Sequence, residues 1–259
     1  MRGARECNHW KKLPLSTKSP YPSADARNYT APEGFELVQV QYVLRHGARY
    51  EVEHGIDSIQ QIYDVLHDHV PHVWLKPDMA DKDKAALLAE SGYVESAKLG
   101  QRMQTRYAEL LSRSQQGVPA VRFVSSDMQR TIATANAFRT AADPLNQTTP
   151  VAIIPLENDT ILAIKPTCPR WIADHELVKS KVDEEQNIFA SIYGAELQSR
   201  IGKQLGLGSK ALAVKEIQLL YRLCGYDLSL YNEHAHWCTL FDQQTSALLE
   251  LYSDIMYSR

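Results

Sequence analysis

The sequence predicts an α/β protein: a mostly parallel sheet flanked by helices, with a mostly helical subdomain inserted after the third strand. Three observations carry this. Short apolar runs at 37–44, 121–125 and 151–155 have the length and composition of strands. The segments between them carry an apolar residue every three or four positions, as parallel strands joined by helical crossovers require. After Leu156 the strand-like runs stop and helical spacing continues toward the end of the chain. The expected division is an extended lead-in over 1–34, an α/β core over 35–156 and a helical part over 157–259.

In chain order, residues 1–34 are polar and proline-containing, with little periodicity. Leu37–Leu44 (LVQVQYVL) alternates Leu37, Gln39 and Gln41 against Val38, Val40 and Tyr42, which reads as a well-buried strand. Ile56–Val70 is helical through Ile59, Ile62, Val65 and Leu66, and Gly92–Leu111 through Leu99, Met103, Tyr107 and Leu110. Val121–Ser125 is the second strand, Met128–Ala142 a helix and Val151–Pro155 the third strand. Trp171–Tyr193, Ala211–Cys224 and Thr245–Met256 are helical.

Of the 259 residues, 44% are apolar and 23% charged, and the net charge is −3. That balance gives no global attraction to nucleic acid or to an anionic membrane, so any affinity for anions must be local. No apolar run approaches the ~18 residues of a membrane span. The N-terminal stretch is charged and has no apolar core, so it does not read as a signal peptide as it stands. Asn-x-Thr sequons at Asn28, Asn146 and Asn158 lean toward a secretory glycoprotein. Four cysteines match no Cys-x-x-Cys pattern; Cys224 and Cys238 are either a disulfide across a turn-containing segment or two buried thiols.

VLRHGARY (Val43–Tyr50) sets His46 between Arg45 and Arg49 directly behind an apolar run. At the carboxyl end of a parallel strand these groups would face the crevice where open α/β sheets bind ligands. Two guanidiniums and an imidazole suit a phosphoryl group, whose oxygens accept paired N–H donors. His46 would be the nucleophile, its pKa lowered by the neighbouring cations. The competing reading is a solvated surface turn. SSDMQRT (Ser125–Thr131) weighs against it. Ser126 or Asp127 would cap the following helix, placing Arg130 in its first turn. A cation there opposes the helix dipole unless an anion sits with it.

These residues resemble the histidine acid phosphatases and, within them, the multiple inositol polyphosphate phosphatases. Arg45, His46, Gly47 and Arg49 match the family's Arg-His-Gly-x-Arg-x-Pro hallmark, and Ser126, Arg130 and Thr131 its Ser-x-x-x-Arg-Thr segment. LSTKSPY (Leu15–Tyr21), LAESGYVESAKLG (Leu88–Gly100), CPRW (Cys168–Trp171) and HWCTLFD (His236–Asp242) look like further family segments in the expected order. The resemblance implies a histidine phosphatase-like fold and hydrolysis of phosphomonoesters of phytate-like substrates or 2,3-bisphosphoglycerate. His46 would form a phosphohistidine while Arg45, Arg49 and Arg130 hold the phosphoryl oxygens. It implies no cofactor and no metal, a small polyanionic substrate as partner, and a secretory-pathway location. Lys165 and Arg170 are candidate further contacts to substrate.

Two departures from the family accompany the match. Glu51 stands where the family has proline, putting a carboxylate beside Arg49 where it would compete with phosphate. The family's general acid lies beyond the segment at which this sequence stops, so a return segment and its proton donor are expected to be missing. A phosphate-binding chain without turnover is therefore the alternative function. A phosphoglycerate mutase relative shares only the Arg-His-Gly start. His234 and His236 with Cys238 would supply too few ligands for a dedicated zinc site.

Overall fold

The computed structural model describes residues 13–19, 32–113, 121–143, 149–208, 212–231 and 235–257. The sequons at Asn28 and Asn146, and His234, lie outside them. Contacts divide the chain into two units that are discontinuous in sequence. One comprises Met1–Pro20, Glu51–Ala85 and Arg170–Arg259; the other comprises Tyr21–Tyr50 and Ala86–Pro169.

The first unit is helical. Helix α1 (Glu53–Leu66) buries Ile56, Ile59, Ile62, Tyr63 and Leu66, the single stripe that its three- and four-residue spacing dictates. The later helices of this unit are α5 (Pro169–Leu205), α6 (Val214–Tyr226) and α7 (Gln243–Tyr257). Helix α6 is buried on nearly every side, which makes it the centre of this core. Its N-terminus is held by Glu216, whose carboxylate accepts the Ala213 N–H at 2.6 Å. Near its other end a Cys224–Cys238 disulfide joins it to the short turn Trp237–Leu240. The side chain of Trp237 is fully buried against Tyr63, and its Nε1–H donates to the Trp74 carbonyl at 2.9 Å.

The second unit contains α2 (Glu90–Arg106), α3 (Ala108–Arg113), β1 (Phe123–Ser126), α4 (Gln129–Ala142) and β2 (Val151–Ile154). Strands β1 and β2 are parallel, with Phe123 opposite Val151 and Ser126 opposite Ile154. Helix α4 is the crossover between them, so this is the βαβ unit that the alternating pattern predicts. Helix α2 packs along α4 through Gly100, where any side chain would overlap the Phe138 carbonyl. The single helix expected over 92–111 is broken at Tyr107 into α2 and α3.

One expected element is absent. Residues 37–44 pair with no strand among the described residues, and Val38 and Val43 are 76% and 84% exposed. Alternation marks a face that would be buried in a sheet, but it cannot supply the neighbouring strand whose N–H and C=O groups complete the ladder.

Candidate active site

His46 and the three arginines all belong to the second unit, and the chain around His46 is fixed by backbone rather than by a sheet. The Ala89 N–H donates to the Ala48 carbonyl at 2.9 Å, the Tyr50 N–H to the Leu87 carbonyl at 3.0 Å, and Arg49 forms an antiparallel bridge with Leu88. The loop lies so close to the first turn of α2 that a side chain at Gly92 would overlap the Ala48 carbonyl, and one at Gly47 would sit 2.6 Å from the Gly92 oxygen. Gln129, the first residue of α4, accepts the Leu88 N–H at 3.2 Å. Thr134, one turn beyond Arg130 and buried, accepts the Gly47 N–H at 3.0 Å. Residues four apart share a helix face, so α4 presents Arg130 and Thr134 on one side.

The Nδ1 atom of His46 lies 2.9 Å from the Gly47 carbonyl. A carbonyl only accepts, so Nδ1 carries the proton and Nε2 carries the free lone pair. Burial drives the imidazole pKa down to about 4 against the opposing Gly47 hydrogen bond, and Arg49, Arg45 and Arg130 push it the same way. The ring is therefore neutral in mildly acid solution, with the Nε2 lone pair free. Arg130 is itself held below its usual pKa by burial and by the charges of Arg49 and Arg45. Its Nε is buried without a hydrogen-bond partner among the described residues. Arg49 donates to the Tyr50 carbonyl at 2.6 Å, while Arg45 is exposed. Three cations converging on a neutral imidazole make a local positive field that an anion would relieve.

Two details add to or correct the sequence reading, and a third decides between alternatives it left open. Neither Ser126 nor Asp127 caps α4: Met128 is the cap residue, no side chain caps it, and the Thr131 hydroxyl donates instead to the Ser126 and Met128 carbonyls. Glu51 turns its buried carboxylate to Arg222 and to the Tyr226 hydroxyl, 2.9 Å away, and accepts the Val52 N–H at 2.9 Å. Within the helical unit, then, the carboxylate has partners that its sequence neighbours do not reveal. Cys224 and Cys238 are joined, so Cys238 has no thiolate to offer a metal.

Of the further candidates, Lys165 is exposed in the turn at 165–167. Arg170 is 93% exposed in the first turn of α5, with Asp174 at 3.6 Å. Thr134, Gln129 and Gly92 were not picked out from sequence. The spacing of Thr134 from Arg130 was the available signal, because a helix over 128–142 places the two on one face.

A family model described as histidine phosphatase superfamily (branch 2) matches residues 36–256. The chain is 22% identical over 278 aligned positions to a thiamine-repressible acid phosphatase of Schizosaccharomyces pombe, covering 96% of this chain and 58% of that protein. It is 23% identical over 257 positions to multiple inositol polyphosphate phosphatase 1 of Gallus gallus (95% and 54% covered). To the Homo sapiens protein of the same name it is 22% identical over 244 positions (84% and 49% covered). Among solved structures, the phytase from D. castellii superposes with a TM-score of 0.60 at 17% identity, over 81% of this chain and 48% of that one, a likeness of fold. The chain thus spans about half the length of the curated relatives it matches.

Proposed function

Because the chain belongs to the histidine phosphatase superfamily, branch 2, we propose that it takes a phosphoryl group from a phosphomonoester onto Nε2 of His46. The observation that carries this reading is the neutral imidazole, tautomer-fixed by Gly47 and set among Arg45, Arg49 and Arg130. The lone pair attacks phosphorus, the ester oxygen departs, and the three guanidiniums hold the phosphoryl oxygens. Water then attacks the phosphohistidine and releases inorganic phosphate. Stabilisation of charge that develops in the transition state is the main rate contribution expected of such cations.

The substrate class we favour is inositol polyphosphates, on the segments that resemble that branch and on relatives bearing that name. Lys165 and Arg170 are the candidate contacts to further phosphates. The Cys224–Cys238 disulfide and the sequons support folding in the secretory pathway. Among the described residues no helix is long and apolar enough to cross a membrane.

The test separates bond formation from leaving-group chemistry. From p-nitrophenyl phosphate the p-nitrophenolate departs without a proton donor, whereas an inositol alkoxide needs one, an effect worth ~10²–10⁴ in rate. The 259-residue chain is expected to form an acid-labile phosphohistidine from p-nitrophenyl phosphate, lost in His46→Ala. Turnover of inositol hexakisphosphate by the same chain would show a proton donor in place. Binding of that ligand with no phosphohistidine from either substrate would leave the second reading, a phosphate-binding chain without turnover.

A further inference from the structure

We propose that Thr134 is the positioning residue for the nucleophile, fixing which imidazole nitrogen of His46 faces the phosphoryl group. The inference rests on the reading of His46 as that nucleophile. Because residues 37–44 join no ladder among the described residues, His46 is not held in register by a strand. Its position depends on the contacts of the two residues that follow it.

Gly47 is held on both sides of its Cα. Its N–H donates to the Thr134 hydroxyl at 3.0 Å, and its C=O receives Nδ1 of His46 at 2.9 Å. The Gly92 backbone closes a third side, since a side chain on Gly47 would overlap it. Backbone pairs at Ala48 and Tyr50 also anchor the loop, beyond Gly47. Thr134 is the side-chain contact closest in the chain to the imidazole, and it comes from the rigid helix that also carries Arg130. Its β-branched side chain has few rotamers, so the acceptor oxygen costs little entropy to hold in place.

The physical consequence is specific. If the hydroxyl is lost, the part-buried Gly47 N–H loses its partner and the His46–Gly47 peptide rotates to find another, changing φ at Gly47 as a glycine permits. The Gly47 carbonyl belongs to the next peptide, and the altered backbone at the Gly47 Cα re-aims it, so Nδ1 loses its acceptor and the proton redistributes between the two nitrogens. Nε2 is then protonated in part of the population and cannot attack.

Three variants of the 259-residue chain decide this. Thr134→Val keeps the shape and removes the acceptor; Thr134→Ser keeps the acceptor and removes a methyl. If Val does not fold by circular dichroism, Thr134→Cys, a weak acceptor of similar size, replaces it. The first readout is the tautomer of His46 from two-bond ¹⁵N–¹H correlations, which requires no turnover. Wild type and Ser are expected as the Nδ1–H form, and Val as a mixture. The second readout is kcat with p-nitrophenyl phosphate, expected to fall about 10- to 100-fold in Val with KM nearly unchanged, and to be restored by Ser. A Val or Cys variant with the wild-type tautomer overturns the proposal, and so does a Ser variant as impaired as Val. A wild-type chain that forms no phosphohistidine would instead remove the catalytic reading, while the tautomer comparison would still decide the role of Thr134.

Discussion

Replacing Arg222 by methionine should destabilise the helical unit by an amount that depends on pH in a direction the structure fixes. Glu51 is 5% exposed and accepts from Arg222, Tyr226 and the Val52 N–H. Burial alone would raise its pKa, but Arg222, the Val52 N–H, Lys18 and Tyr226 together hold it below the usual value of 4.5. Breaking a buried pair by removing one partner costs about 3–5 kcal/mol. The Arg222 side chain is 32% exposed, so solvent screening puts the expected loss at the lower end, about 2–3 kcal/mol at neutral pH. In the wild type the Glu51 carboxylate contributes stability that is fully present above its unfolded pKa and lost as pH falls through the lower folded one. Without Arg222 the burial penalty dominates, the folded pKa rises, and acid relieves the variant by neutralising the carboxylate. The gap between wild type and variant should therefore narrow from pH 7 to pH 4. Urea unfolding followed by tryptophan fluorescence measures it, because Trp74, Trp171 and Trp237 all lie in this unit. A loss under about 1 kcal/mol at pH 7, the range of surface pairs, would refute the reasoning. A gap that widens in acid would refute it as well.

The remaining expectations concern the loop, the nucleophile and the disulfide. Depression of the His46 pKa to about 4 means that kcat/KM for p-nitrophenyl phosphate should hold steady from pH 6 to pH 5 and fall only as pH drops through about 4; an acid limb near pH 6.5 would show an unperturbed imidazole. Gly92→Ala should displace the Ala48 carbonyl, cost about 1–3 kcal/mol as overpacking does, and weaken inorganic phosphate binding measured by calorimetry, whereas wild-type affinity would show that the loop yields freely. Reducing the Cys224–Cys238 bond, which closes a separation of 14 residues, should lower unfolding stability by about 3 kcal/mol, read as the shift in urea midpoint with and without reductant.

The parts of this fold that were legible in sequence are those decided locally. Strands β1 and β2 and the crossover α4 follow from short apolar runs around a helical period, and each falls within a few residues of its expected place. Arg130 was legible as a candidate anion ligand because a cation in the first turn of a helix is electrostatically out of place. What sequence did not show depended on partners far along the chain. The alternation at 37–44 promised a buried strand, but pairing is a property of two segments and only one was in view. For Glu51, sequence shows the neighbours two positions away and hides Arg222, 171 positions away. Thr134 shares a face with Arg130 in the expected helix, but threonine inside a helix is unremarkable until the donor it meets is known.

Helix α6 carries Arg222, Cys224 and Tyr226 within five consecutive residues. Its covalent tie to Cys238 and its grip on Glu51 therefore share little more than one turn of helix. Two constraints so placed do not fail independently: loosening one lets the turn drift and weakens the other. The combined loss from cutting the disulfide and removing Arg222 should thus differ from the sum of the separate losses. Oxidation state and acid tolerance become a single property of one helical turn, and a chain folded under reducing conditions would meet low pH with both constraints weakened.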